Sequence, residues 1–267
     1  QMKTRIDKAT YQRLIAEKDF RLATQKMKIA DAITLLPNKS FEPSVTKGRY
    51  LYENDEEKGI LKRTIVSNTY NWLDSHGDVH LNGIFAKSIQ ERGTRIPHLH
   101  DHKFQLAAKV GRPLSFAEVG MKWRALGHPK NGDTVVLLME SQIEARLNKK
   151  VYEEYKDDAV DQHSVGMIYT KIELAANDDN YKSEYETWEE VFPSLGNKEE
   201  AEEAGFFFAV REAKLIEVSA VLLGSNVLTP TLNNKIQPGK PTEKTEPVKT
   251  TLNVNDLVDV YRKSIIN

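Results

Sequence analysis

Apolar residues follow two different rhythms along the chain. Between Ala9 and Ala23 the composition favours helix, with Tyr11, Leu14, Ile15 and Leu22 loosely periodic, and a second apolar patch from Met27 to Leu36 is ended by Pro37. This pattern predicts a helical N-terminal extension over residues 1–46. From about Lys47 the texture turns to β. Arg49 to Tyr52, Leu61 to Trp72, Gly120 to Gly127 and Thr134 to Met139 are rich in Val, Ile, Tyr, Trp and Thr and are broken by Gly, Asn and Asp turns. A mostly antiparallel sheet or barrel is expected. Two helices interrupt it: a short one over Phe85 to Arg92, and one carrying Ile143, Leu147, Val151 and Tyr155, whose four-residue recurrence lays an apolar stripe against the sheet.

The last third changes texture twice more. Residues 175–205 hold ten acidic side chains against Lys182 and Lys198, which reads as an acidic insertion: a solvated loop with a short helix, or a docking surface for a basic partner. After Leu232, Pro238, Pro241 and Pro247 punctuate a Lys/Thr/Glu stretch without aromatic residues, so a flexible linker is expected over 230–252. Asn253 can cap a final amphipathic helix over 253–267, with Leu257, Val258, Tyr261 and Ile265 on one side.

Composition narrows the chemistry. At 267 residues the chain can build a substantial core. Its 38 basic and 39 acidic residues nearly cancel, which argues against a general nucleic-acid coat. The absence of cysteine excludes disulfides, thiolate metal sites and a cysteine nucleophile. No apolar run reaches membrane-spanning length and the first residues are studded with charge, so a soluble, intracellular protein is expected.

Three segments can carry chemistry. Ile96 to His102 concentrates His98, His100 and His102, which an extended backbone would point to one side. They suit either a metal-hydrolase-like cluster or a general base, against the plainer alternative of solvated imidazoles at a strand end. Ser164-Val165-Gly166 enters a predicted strand, where the glycine lets backbone approach a substrate carbonyl; alone it is a weak signal. Leu215 to Leu223 reads as a strand buried on both faces that contains Glu217. A buried carboxylate needs a proton, a cation or an imidazole, and Arg211 or Lys214 is the structural alternative to a catalytic histidine.

Taken in order, Asp74-Ser75-His76-Gly77-Asp78-Val79 with Asn82 to Phe85, then Pro97 to His102, Ser164 to Gly166 and Leu215 to Ser219, the chain resembles the prohead proteases of tailed phages, relatives of the herpesvirus assemblins. The resemblance runs from about Leu61 to Pro230. It implies a small closed β-barrel flanked by helices, herpesvirus-protease-like, occupying residues 47–229. It also implies a serine endopeptidase of capsid maturation in which Ser164 is the nucleophile, His102 the general base and Glu217 the acidic third member, with His100 as the fallback base. No metal or cofactor is implied. Scaffold and major capsid protein would be substrates, in the host cytoplasm inside an assembling procapsid. Self-association is implied, without membrane or specific nucleic-acid binding. The C-terminal helix would then dock on scaffold or portal, and self-cleavage within Thr231 to Thr250 would release it. Lys103, His163 and Gly224-Ser225-Asn226 depart from the family pattern. The alternatives are a catalytically silent structural or scaffolding protein of the virion, and a His-cluster metallo-hydrolase.

Overall fold

The computed structural model describes residues 5–33 and 54–232. In chain order these form helix α1 (Lys8–Ile33), strands β1 (Ile60–Thr69) and β2 (Asp78–His80), helix α2 (Ala86–Arg92), strands β3 (His98–His100), β4 (Lys109–Lys122) and β5 (Asp133–Glu144), helix α3 (Lys149–Lys156), strand β6 (His163–Ala176), helices α4 (Lys182–Val191) and α5 (Lys198–Ala204), and strands β7 (Phe206–Ala220) and β8 (Thr231–Leu232). The predicted segment Arg49 to Tyr52, most of the linker and the C-terminal helix lie outside the described residues. No helix among the described residues is long and apolar enough to cross a membrane.

Eight strands form one sheet in the order β2-β7-β3-β4-β5-β1-β8, with β6 paired to β7 off that path. The ladders are antiparallel except where the short strands β2 and β3 run parallel to β7. Helices flank the sheet, so the chain is a mixed α/β fold. The expected closed barrel is corrected: β1 and β6 approach within 8 Å between Cα atoms but share no ladder. Beside that gap, Thr231 Oγ1 of β8 donates to Val160 O, in the loop before β6, at 2.6 Å.

Burial runs almost without a break along β7, and the residues that reach the principal core are spaced by two or three because the β6–β7 register shifts between them. In β7, Ala213, Leu215, Val218 and Ala220 join Ile65, Tyr70 and Leu137 in the principal core. Register shifts at Gly166/Met167 and beyond let β6 and β7 coil as they pair.

Three expectations are corrected here, and the helical N-terminal extension gains a place on the body of the fold. The strand predicted at Gly120 to Gly127 begins earlier, at Lys109, and gives way to a 3₁₀ turn over Trp123–Leu126. The helix predicted from Ile143 is only α3, because Ile143 belongs to β5 and Asn148 caps the helix by accepting from Val151 N at 3.1 Å. The N-terminal extension is docked where it is described: Leu14 is buried, Tyr11 stacks on Tyr181 at 3.8 Å, and Arg21 pairs with Asp78 at 2.6 Å. The acidic insertion is a folded helical unit. Its Trp188, Val191, Phe192, Leu195 and Ala201 pack against Phe207 in a core of their own, while Glu190 pairs with Arg211.

Candidate functional site

The site lies on the outer face of β6 and β7, and strand alternation selects its members. His163 and Val165 turn inward; Ser164 and Gly166 turn outward, directly opposite Ser219 and Glu217 in the antiparallel register. Glu217 is fully buried, as its place in an apolar strand predicts. Its neighbour across the ladder must be glycine, since a methyl group at Gly166 would overlap the Glu217 carboxylate. That assigns Gly166 a different task from the predicted one of admitting a substrate carbonyl.

His102 reaches Glu217 by a backbone device. β3 ends at His100, and Asp101 and His102 both take left-handed conformations, with φ of 54° and 53°. Such conformations cost of order 1 kcal/mol each and persist only where neighbours fix them. Here Asp101 N donates to Ala220 O at 3.0 Å and His102 N donates to Ser219 Oγ at 3.1 Å. The result aims His102 Nδ1 at Glu217 Oε1, 2.6 Å away. The hydrogen bond that His102 donates to Glu217 is the main cause holding the imidazole above its ordinary pKa, against partial burial that pulls it down. The second oxygen, Oε2, accepts from Ser219 Oγ at 2.5 Å. Ser219 therefore joins the carboxylate to the backbone of the histidine. Sequence reading gave it no role, although its place two residues after Glu217 puts both on one strand face.

Ser164 lies on this face, half buried, and its hydroxyl makes no hydrogen bond among the described residues. His102 Nε2 is likewise without a partner there. The structure thus joins His102 to Glu217 and sets Ser164 on the same face, with no bond between Ser164 Oγ and the His102 ring. Loops on either side expose Phe104 and Leu106 after His102, and Leu222 and Leu223 after β7.

The three clustered histidines do not converge. His100 Nδ1 pairs with Asp101 Oδ2 at 3.0 Å, away from Glu217. His98 is buried, with Nδ1 2.9 Å from Ser141 Oγ and Nε2 3.1 Å from Tyr155 OH, so neither ring nitrogen is open to a metal. Early termination of β3 is the physical reason: the expected extended run stops two residues short of His102. Arg211 and Lys214, the structural alternatives for Glu217, do not pair with it; Arg211 holds Glu173 and Glu190.

His163, beside the candidate nucleophile, belongs to the inner face. Its Nδ1 lies 2.8 Å from Thr229 O and its Nε2 2.8 Å from Tyr155 OH. Burial pushes its pKa down to about 4 and that of His98 well below the ordinary range. Both rings are neutral near pH 7. Because a carbonyl oxygen only accepts, Nδ1–H of His163 donates to Thr229, Tyr155 O–H donates to His163, Nε2–H of His98 donates to Tyr155, and Ser141 donates to His98. No family model, curated protein or solved structure matches the chain.

Proposed function

We propose that the chain is a serine endopeptidase with Ser164 as nucleophile, His102 as general base and Glu217 as the group that orients and charge-balances the base. The observation that carries this reading is the 2.6 Å bond from His102 Nδ1 to the fully buried Glu217, on the strand face shared with Ser164. A buried carboxylate on one ring nitrogen fixes the tautomer that leaves Nε2 free to accept a proton. In the first step the Ser164 Oγ–C bond forms as the hydroxyl proton passes to Nε2. The imidazolium then protonates the leaving amine, and water deacylates the enzyme through the same base. The reading requires His102 Nε2 to reach Ser164 Oγ, a contact that in free enzymes often tightens only with substrate bound. Exposed Phe104, Leu106, Leu222 and Leu223 offer apolar side chains to an extended peptide.

The herpesvirus-protease-like fold, with its sheet left open here, belongs to the same proposal, as do capsid maturation, scaffold and major capsid protein as substrates, self-association and the procapsid setting. The motif order from Asp74 to Ser219 supports them. The test is an alkyl fluorophosphonate probe followed by peptide mapping. Stoichiometric labelling at Ser164, abolished by Ser164→Ala and accompanied by cleavage of a scaffold peptide, is the expected result. A folded chain that takes up no label overturns it.

A second reading, a catalytically silent structural protein of the virion, is favoured by the missing bond between Ser164 and His102. The same probe separates the two, because only an activated hydroxyl labels.

A further inference from the structure

Away from this site, a second cluster on the loop before β2 and on β2 itself is chemically incomplete. A ring nitrogen of His80 and one carboxylate oxygen each from Asp74 and Asp78 lie within 4.8 Å of one another, and all three residues are buried. We propose that Asp74, Asp78 and His80 bind one divalent transition ion of the zinc class.

His80 supplies the decisive observation. It is only 4 % exposed, and its Nδ1 lies 2.7 Å from Asn68 Oδ1, an oxygen that can only accept. With the Asn68 amide in this orientation Nδ1 carries the proton and Nε2 presents its lone pair, yet Nε2 is buried with no partner, and Asn68 Nδ2 is buried without one as well. Leaving such an acceptor unsatisfied is unfavourable, and a bound cation would relieve it. A carbonyl oxygen on the far ring nitrogen is also how metal-ligating histidines are held in the ligating tautomer.

The carboxylates point the same way. Asp74 Oδ1 accepts from the N–H groups of His76 and Asp78, whereas its Oδ2 has no hydrogen bond among the described residues. Asp78 has Arg21 Nη1 on Oδ1 at 2.6 Å and the Tyr169 hydroxyl on Oδ2. Among the described residues Arg21 is the cation paired with this group, so a single guanidinium faces two carboxylates. Two carboxylates and a neutral imidazole match the charge of a divalent ion. One nitrogen and two oxygen donors, with a position left for water, suit zinc better than calcium or magnesium, which take six or more oxygen ligands. Arg21, carried by α1, is the competing cation. The site does not depend on the peptidase proposal: β2 pairs with β7 at Phe208–Val210, well before Glu217 on that strand.

The test titrates the metal-free full chain with ZnCl2 by calorimetry near pH 7. One saturable equivalent is expected, weakened at least about tenfold by Asp74→Asn or His80→Asn and tightened several-fold by Arg21→Gln. Because His80 is buried and its variant can fail to fold, zinc K-edge absorption on the unmodified chain gives a second readout, a single imidazole among oxygen ligands. No saturable uptake, an affinity that Asp74→Asn leaves unchanged, or two or more imidazoles on the ion would overturn the proposal.

Discussion

Two histidine networks lie on opposite faces of the same pair of strands, and neighbouring residues belong to different ones. Outside, His102 meets a carboxylate, keeps contact with solvent, and is held above its ordinary pKa. Inside, His98 and His163 meet only neutral partners and are driven to the uncharged form. Residue type is the same; the environment assigns the task. A base that must become an imidazolium needs a counter-charge nearby, and only the outer network supplies one.

The contrast can be broken most forcefully at Glu217. Glu217→Gln keeps the shape but removes the charge, and should lower kcat/KM on a scaffold peptide by about 10³–10⁴-fold. A smaller loss would detach the carboxylate from catalysis. Tyr155→Phe acts on the inner network alone: it leaves ring nitrogens of His98 and His163 unpaired and should destabilise the fold by about 2–4 kcal/mol. Ser164 labelling per folded molecule should stay unchanged, as chemical denaturation and probe kinetics together would show.

Acid sharpens the difference further. His163 has a folded pKa of about 4, below the 6.5 of a free histidine, so its contribution is complete above pH 6.5 and is lost as pH falls towards 4. The stability gap between the unmodified chain and His163→Asn should therefore narrow by up to about 3 kcal/mol across that window. Asp78 has the opposite sign, since its raised pKa favours the fold at low pH, but it is common to both chains. His102 must lose its proton to act, so the acid limb of kcat/KM should lie above the ordinary histidine value and move down in Glu217→Gln. A limb that stays in place would assign it to another group. The smallest effect belongs to Asp101→Asn, which removes an exposed pair with His100 and Lys103 and should change stability by about 0.5 kcal/mol or less in a thermal melt.

Glu217 was legible because a carboxylate inside an apolar run is an anomaly that demands a partner. The partner was less legible. The alternation that would have aligned His98, His100 and His102 fails at two consecutive left-handed residues, Asp101 and His102, side chains that tolerate that region better than most but do not require it. The stripe of Ile143, Leu147, Val151 and Tyr155 misleads for a simpler reason: a spacing of four fits both a helical turn and two strand repeats, so it continues smoothly across the junction of β5 and α3. In the acidic insertion charge masked a second signal. Tyr185, Trp188 and Val191 recur every three residues and form the buried side of α4. Closure of the sheet was beyond sequence patterning, because the seam between β1 and β6 depends on backbone pairing that side-chain periodicity does not encode.

The carbonyl of Thr229 has an effect out of proportion to its size. Having no hydrogen to give, it sets the direction of every proton from itself back to Ser141, and no link can be reversed alone without bringing two lone pairs together. A row polarised in this way can hold hydrogen atoms but cannot pass them along. It works as a fixed rivet through the interior and keeps a second pair of imidazoles, one of them adjacent to Ser164, out of the acid–base traffic on the other side of the strand.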